Sequence, residues 1–169
     1  VGDHLIGVIA MFARNLLTEF TLRALASVDD IIALGIVHKQ NQEELIKSEN
    51  RFRAIFNNAN DGILMADIET KRIYMGNTKI CQMLGYTREE IERLTVMDIH
   101  PKEALSHVMD EFEKHSKTEN KLVSDIPMKR KDNSIFYVDI NSSSVNIAGK
   151  TYLMGIFRDI TERKRTEEK

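Results

Sequence analysis

Cysteine is almost absent: Cys81 stands alone among 169 residues. That excludes an internal disulfide and a thiolate-rich metal site, and it fits a reducing, cytoplasmic setting. Long apolar runs are missing too. The longest, Leu5 to Ala13 and Ile31 to Val37, fall well short of the roughly 18 residues that suggest a membrane span, so no membrane contact is expected within this chain. No charge of one sign dominates. Lys and Arg number 24 against 26 Asp and Glu, a net charge of −2, which gives no general pull toward nucleic acid. There is no Gly-rich phosphate loop and no nucleophile set beside a base, so the chain is expected not to be an enzyme. It opens on Val1 without a basic leader or an initiating methionine and reads as a piece of something longer.

What is present is 42% hydrophobic and 30% charged residues, enough for one compact domain with appendages. Residues 5–13 have strand character. A long helix follows, with Thr18 placed to cap it and Leu17 and Leu22 to staple the cap. Leu22, Leu25, Val28, Ile32 and Ile36 recur at helical spacing, and from Lys39 to Arg53 the charge rises as in a connecting helix. The stripe from Leu22 to Phe52 suits pairing with a second copy, which makes a homodimer the expected assembly.

Beyond Asn57 the pattern shortens. GILMAD and RIYMGN read as strands Gly62–Asp67 and Arg72–Asn77 joined by the polar turn Ile68 to Lys71. A short helix with Ile80, Cys81, Met83 and Leu84 ends at Gly85, and Thr87 to Glu90 has capping-box spacing for another. Pro101 suits the first turn of a longer helix with the stripe Leu105, Val108, Met109 and Phe112. Three strands follow from Leu122, separated by Asp132-Asn133 and Ala148-Gly149, residue pairs suited to hairpin turns. The order implies an α+β fold, a five-stranded antiparallel sheet with short helices on one face, preceded by a long N-terminal helix.

Several of these stretches resemble the PAS sensory domain with its PAC segment: SENRFRAIFNNANDGILMAD, Asn77 after the second strand, LGYTREEIERL, MKRKDNS, and GIFRDITERK at the exit. The resemblance covers about residues 48–164. Residues 1–38 are similar to the last strand and helix of a GAF domain. The organisation expected is therefore a GAF remnant over 1–38, a connecting helix over 39–53, a PAS domain over 54–160 and the start of an output helix over 161–169. The resemblance implies a sensory module of a bacterial-type signalling protein, with an effector downstream in the same chain, most naturally a histidine kinase of a two-component system.

Within that resemblance, the Asp-Ile-Thr stretch ends the last strand and begins the output helix. Asp159 can accept N–H bonds at a helix start, where the macrodipole favours negative charge. Asp159 and Glu162 have capping-box spacing, Asp159 and Arg163 are placed for an ion pair, and Thr161 can supply a second cap. These four residues are the candidate signal relay. A ligand pocket between sheet and helices, as in many PAS domains, would be lined by Met65, Ile73, Cys81, Leu84, Val108, Phe112, Ile126, Met128, Val138, Ile140 and Met154. Ser142 and Ser144, continuing the face of Phe136, Val138 and Ile140, mark either the polar end of a cavity or the edge of the sheet.

No cofactor is evident, and an unidentified small molecule is the ligand to expect. Flavin photochemistry is disfavoured because Cys81 precedes Gly85-Tyr86 and lacks the neighbours that flavin-binding relatives place around their cysteine. Haem is disfavoured because His107 and His115 both miss the middle of the apolar stripe. His100 reads as a loop residue, and His4 and His38 lie outside the domain. The rival readings are a dimerisation spacer with a filled core and a haem-based gas sensor.

Overall fold

The computed structural model describes residues 18–116 and 121–167. The strand expected at 5–13 and the Leu17 side of the staple lie outside the described residues. The chain divides into two units, residues 1–52 and 53–169.

Helix α1 (Glu19–Asn57) is unbroken over 39 residues. Thr18 caps it: its Oγ1 accepts from Thr21 N at 3.3 Å, and its carbonyl accepts from Leu22 N at 3.0 Å. Phe20, Ile31, Leu34 and Leu45 along α1 are each more than half exposed, so propensity and side-chain pairs such as Glu19–Arg23 at 2.7 Å hold these turns. Among the described residues no helix is long and apolar enough to cross a membrane.

The second unit is built on a five-stranded sheet in the order β2-β1-β5-β4-β3. The strands are β1 (Gly62–Asp67), β2 (Ile73–Gly76), β3 (Lys121–Lys129), β4 (Ile135–Ile147) and β5 (Lys150–Asp159). Every neighbouring pair is antiparallel. Between β2 and β3 come helices α2 (Thr78–Leu84), α3 (Arg88–Ile91) and α4 (Leu105–Ser116), with 3-10 turns at Val96–Ile99 and Lys102–Ala104.

Local chemistry sets these boundaries. The β1–β2 turn closes on Asp67, whose Oδ1 accepts from Glu69 N at 2.8 Å and Thr70 N at 3.1 Å while Oδ2 meets Lys150 Nζ at 2.5 Å. The Lys150 ammonium and the two backbone N–H groups hold its carboxyl well below the usual carboxylate range. Ala148 and Gly149, with φ of 50° and 80°, both enter the left-handed region that a two-residue hairpin demands. Gly85, at φ 76°, ends α2 with its N–H on Cys81 O. Thr87 and Glu90 form the expected capping box. Pro101 does not start a long helix: its ψ of 148° is extended, and it precedes the 3-10 turn, so α4 proper begins at Leu105. Strand β3 carries an irregularity between Val123 and Ile126, where Asp125 adopts φ 63° and its N–H meets Asp139 Oδ1 at 3.2 Å.

Asn77 is fully buried and joins three parts of this unit. Its Oδ1 accepts from Ile63 N and Ile80 N, both at 2.9 Å, and its Nδ2 donates to Phe56 O at 3.0 Å and Asp61 O at 3.1 Å. The amide thus caps α2 while tying the C-terminal turn of α1 to the start of β1. The core lies between one sheet face and the short helices, around Leu64, Ile80, Leu84, Ile91, Met128 and Phe136.

Candidate functional site

Strand alternation decides which side chains look into the core. Leu64 and Ala66 of β1, Ile140 and Ser142 of β4, and Leu153, Gly155 and Phe157 of β5 share the inner face and wall a cavity of about 70 Å³. Val108, Glu111 and Phe112 of α4 close it from above, with Val123 and Ile126 of β3, Val96 and Ile99 of the first 3-10 turn and His100 just after that turn at the sides. The lining is mostly apolar, and the residues with polar side chains among it are His100, Glu111 and Ser142. Gly155 keeps the wall thin, since a Cβ there would stand 2.7 Å from the Phe157 ring.

Four of the expected lining residues, Val108, Phe112, Ile126 and Ile140, come together at this cavity. Ile73, Leu84, Met128 and Val138 are buried in the packed core beside it. Met65 and Met154 are register partners on the other sheet face, one residue out of phase with Leu64, Ala66, Leu153 and Gly155. Cys81 is half-buried at the core margin, and burial pushes its thiol up. Ser142 is buried in the cavity wall, whereas Ser144 is exposed.

His100 was the residue that sequence reasoning missed. It is 3% exposed, and its Nδ1 lies 2.8 Å from Pro127 O. Burial lowers its pKa from 6.5 to about 4, against a smaller opposing effect of the Pro127 bond, so the ring is neutral. Helix α4 exposes His107; it carries His115 near its C-terminal end.

The exit from the sheet starts two residues beyond the cavity wall. Phe157 lines the cavity, and Asp159 follows it on the same strand face, opposite Val138. Asp159 Oδ1 accepts from Thr161 N at 2.8 Å and from the Thr161 hydroxyl at 2.5 Å. Thr161 is the first residue of α5 (Thr161–Glu167), and its Oγ1 accepts from Tyr137 N of β4 at 3.5 Å. Ile160, buried, donates its N–H to Tyr137 O at 3.0 Å and accepts from Lys164 N at 3.0 Å. The helix is therefore seated on β4 as well as on the end of β5.

Two details differ from the sequence expectation. Asp159 makes no ion pair with Arg163, whose Nη1 instead meets Asp139 Oδ2 at 3.4 Å. The cation near Asp159 is Arg130, its Nη2 3.8 Å from Oδ2. Because α5 begins at Thr161, Ile160 occupies the cap position. Glu162 then falls one place short of the N3 site that a capping box with Asp159 required. Arg130 also donates Nε to Met83 O at 2.7 Å and lies 4.1 Å above the Phe136 ring. One guanidinium thus links the end of α2, the core and the exit.

The geometry matches known proteins. The family described as PAS domain matches residues 60–162. The methyl sulfide methyltransferase-associated sensor of Methanosarcina acetivorans is 27% identical over 168 residues, 98% of this chain and 17% of that protein. Sporulation kinase E of Bacillus subtilis is 27% identical over 158 residues, 92% of this chain and 20% of that protein. The chain thus spans no more than a fifth of the length of these two relatives. Among solved structures, the PAS domain of an HTR-like protein from Haloarcula marismortui superposes with a TM-score of 0.64 at 24% identity, covering 72% of this chain and 99% of that one; at that identity the likeness speaks for the fold.

Proposed function

The chain belongs to the PAS domain family, and on that premise we propose that it is a sensory module that passes the state of its cavity to a downstream effector through the junction of β5 and α5. The observation that carries this reading is the continuity of Phe157 and Asp159: one strand forms a cavity wall and, two residues on, holds the first N–H of the outgoing helix. A shift of that wall acts on Asp159 through about 7 Å of strand. The effector is a kinase of the two-component kind, a reading supported by the sensor and kinase names of the two relatives. The chain has no catalytic role of its own in this scheme.

The module works as a homodimer in this reading. Ile31, Leu34, Leu45 and Phe52 fall on the two apolar positions of a heptad repeat, and all four are more than half exposed. Light scattering should give twice the chain mass, falling to one chain in Leu34→Glu.

The functional test uses the intact protein that carries this chain, with autophosphorylation as output. Val108→Phe, which fills the cavity, should change the output, and adding Asp159→Ala should abolish that response while circular dichroism stays native. A Val108→Phe response that persists without Asp159 contradicts the relay. No response to Val108→Phe in either background supports the spacer reading instead.

A further inference from the structure

The polar groups of the cavity are specific about what can enter it. A carbonyl only accepts, so the 2.8 Å contact with Pro127 O places the hydrogen of His100 on Nδ1. In the neutral ring Nε2 is then an acceptor, and among the described residues it has no partner. A side chain this buried rarely leaves an acceptor unmade. The second polar group, the Glu111 carboxylate, also accepts, and Lys114 Nζ already meets it at 2.8 Å. Ser142, the third, can do either.

A lining with two acceptors, one hydroxyl and no cation in an apolar wall selects by charge. An anion meets the Glu111 carboxylate without a cation in the lining, and a cation loses its hydration to apolar surface while Glu111 is already engaged. The space is also small. One water requires about 10–15 Å³ of such volume, so about 70 Å³ admits roughly five to seven non-hydrogen atoms.

We propose that the cavity takes a small, uncharged, largely apolar molecule that donates an O–H or N–H hydrogen bond to Nε2 of His100. This rests on the cavity being the sensory site. Such a ligand completes the hydrogen bonding of the imidazole, fills the space against Phe157 and so bears on the strand that leads to Asp159.

Phenol and toluene test it, since they match in size and differ by a hydroxyl against a methyl. Each is titrated into the isotope-labelled full chain, following backbone amides and the imidazole nitrogens of His100. Phenol should bind about tenfold more tightly than toluene, and only phenol should move the Nε2 resonance. His100→Phe should erase the advantage of phenol and leave toluene binding in place, and the Nε2 reading in the unaltered chain keeps the test sound if that variant folds poorly. Equal binding with an unmoved Nε2 overturns the donor requirement but leaves a ligand-binding cavity. If neither probe perturbs the cavity residues, both the ligand class and the cavity as a ligand site are overturned.

Discussion

Arg130 Nη2 stands 3.8 Å from Asp159 Oδ2 while the Nε of the same guanidinium holds the carbonyl of Met83 at 2.7 Å. The end of α2 and the end of β5, which leads into α5, are therefore tied to one side chain. Its Nε donates to Met83 O, its charge faces Asp159 across 3.8 Å, and its face lies on Phe136.

Arg130→Ala should lower stability by about 1–2 kcal/mol, chiefly through the lost bond to Met83 O and the lost cover on Phe136. Arg130→Lys should recover little of this, because an ammonium cannot stack and reach both oxygens. Urea denaturation of the three proteins provides the comparison, and full recovery by lysine would show that charge alone matters.

Asn77→Ala should cost more, about 3 kcal/mol, because it strands buried donors and acceptors on Ile63, Ile80, Phe56 and Asp61 together. Thermal melting should fall accordingly, and hydrogen exchange should rise first at Ile63 and Ile80.

His100 gives the fold a pH dependence of known sign. Its folded pKa of about 4 lies below the unfolded 6.5, so between these values the unfolded chain binds the extra proton. Stability contributed by the neutral ring is whole above about pH 6.5 and is lost as pH falls toward 4, amounting to roughly 3 kcal/mol. His100→Phe should flatten that part of the stability–pH curve in denaturant titrations. An unchanged slope would place the loss elsewhere.

Much of this architecture is legible in the residues, because the signals are local. The hairpin pairs Asp132-Asn133 and Ala148-Gly149, the Gly85 stop and the Thr87–Glu90 box each act within a few residues of themselves. Strand β4 also shows its inner face openly, since Phe136, Val138 and Ile140 alternate with polar neighbours. Strands β1 and β5 do not: GILMAD and YLMGIF are apolar on both faces, so period two gives no phase, and Met65 and Met154, expected at the cavity, lie on the opposite sheet face. His100 lies in a bend, as expected of a loop residue, but its burial was not legible, because its hydrogen-bond partner Pro127 O is 27 residues away in sequence. Arg130 was overlooked for the same reason, its partners Met83 and Asp159 being distant in sequence and adjacent only across the fold.

Amide hydrogen exchange on Asp159→Ala measures the tie between sheet and outgoing helix most directly. Exchange at Thr161 and Lys164 should accelerate about tenfold, as loss of a capping bond predicts, while the paired amides of β4 and β5 around Ile140 and Phe157 keep their protection. Unchanged exchange across α5 would show that the helix is held without the carboxylate, and would contradict the account.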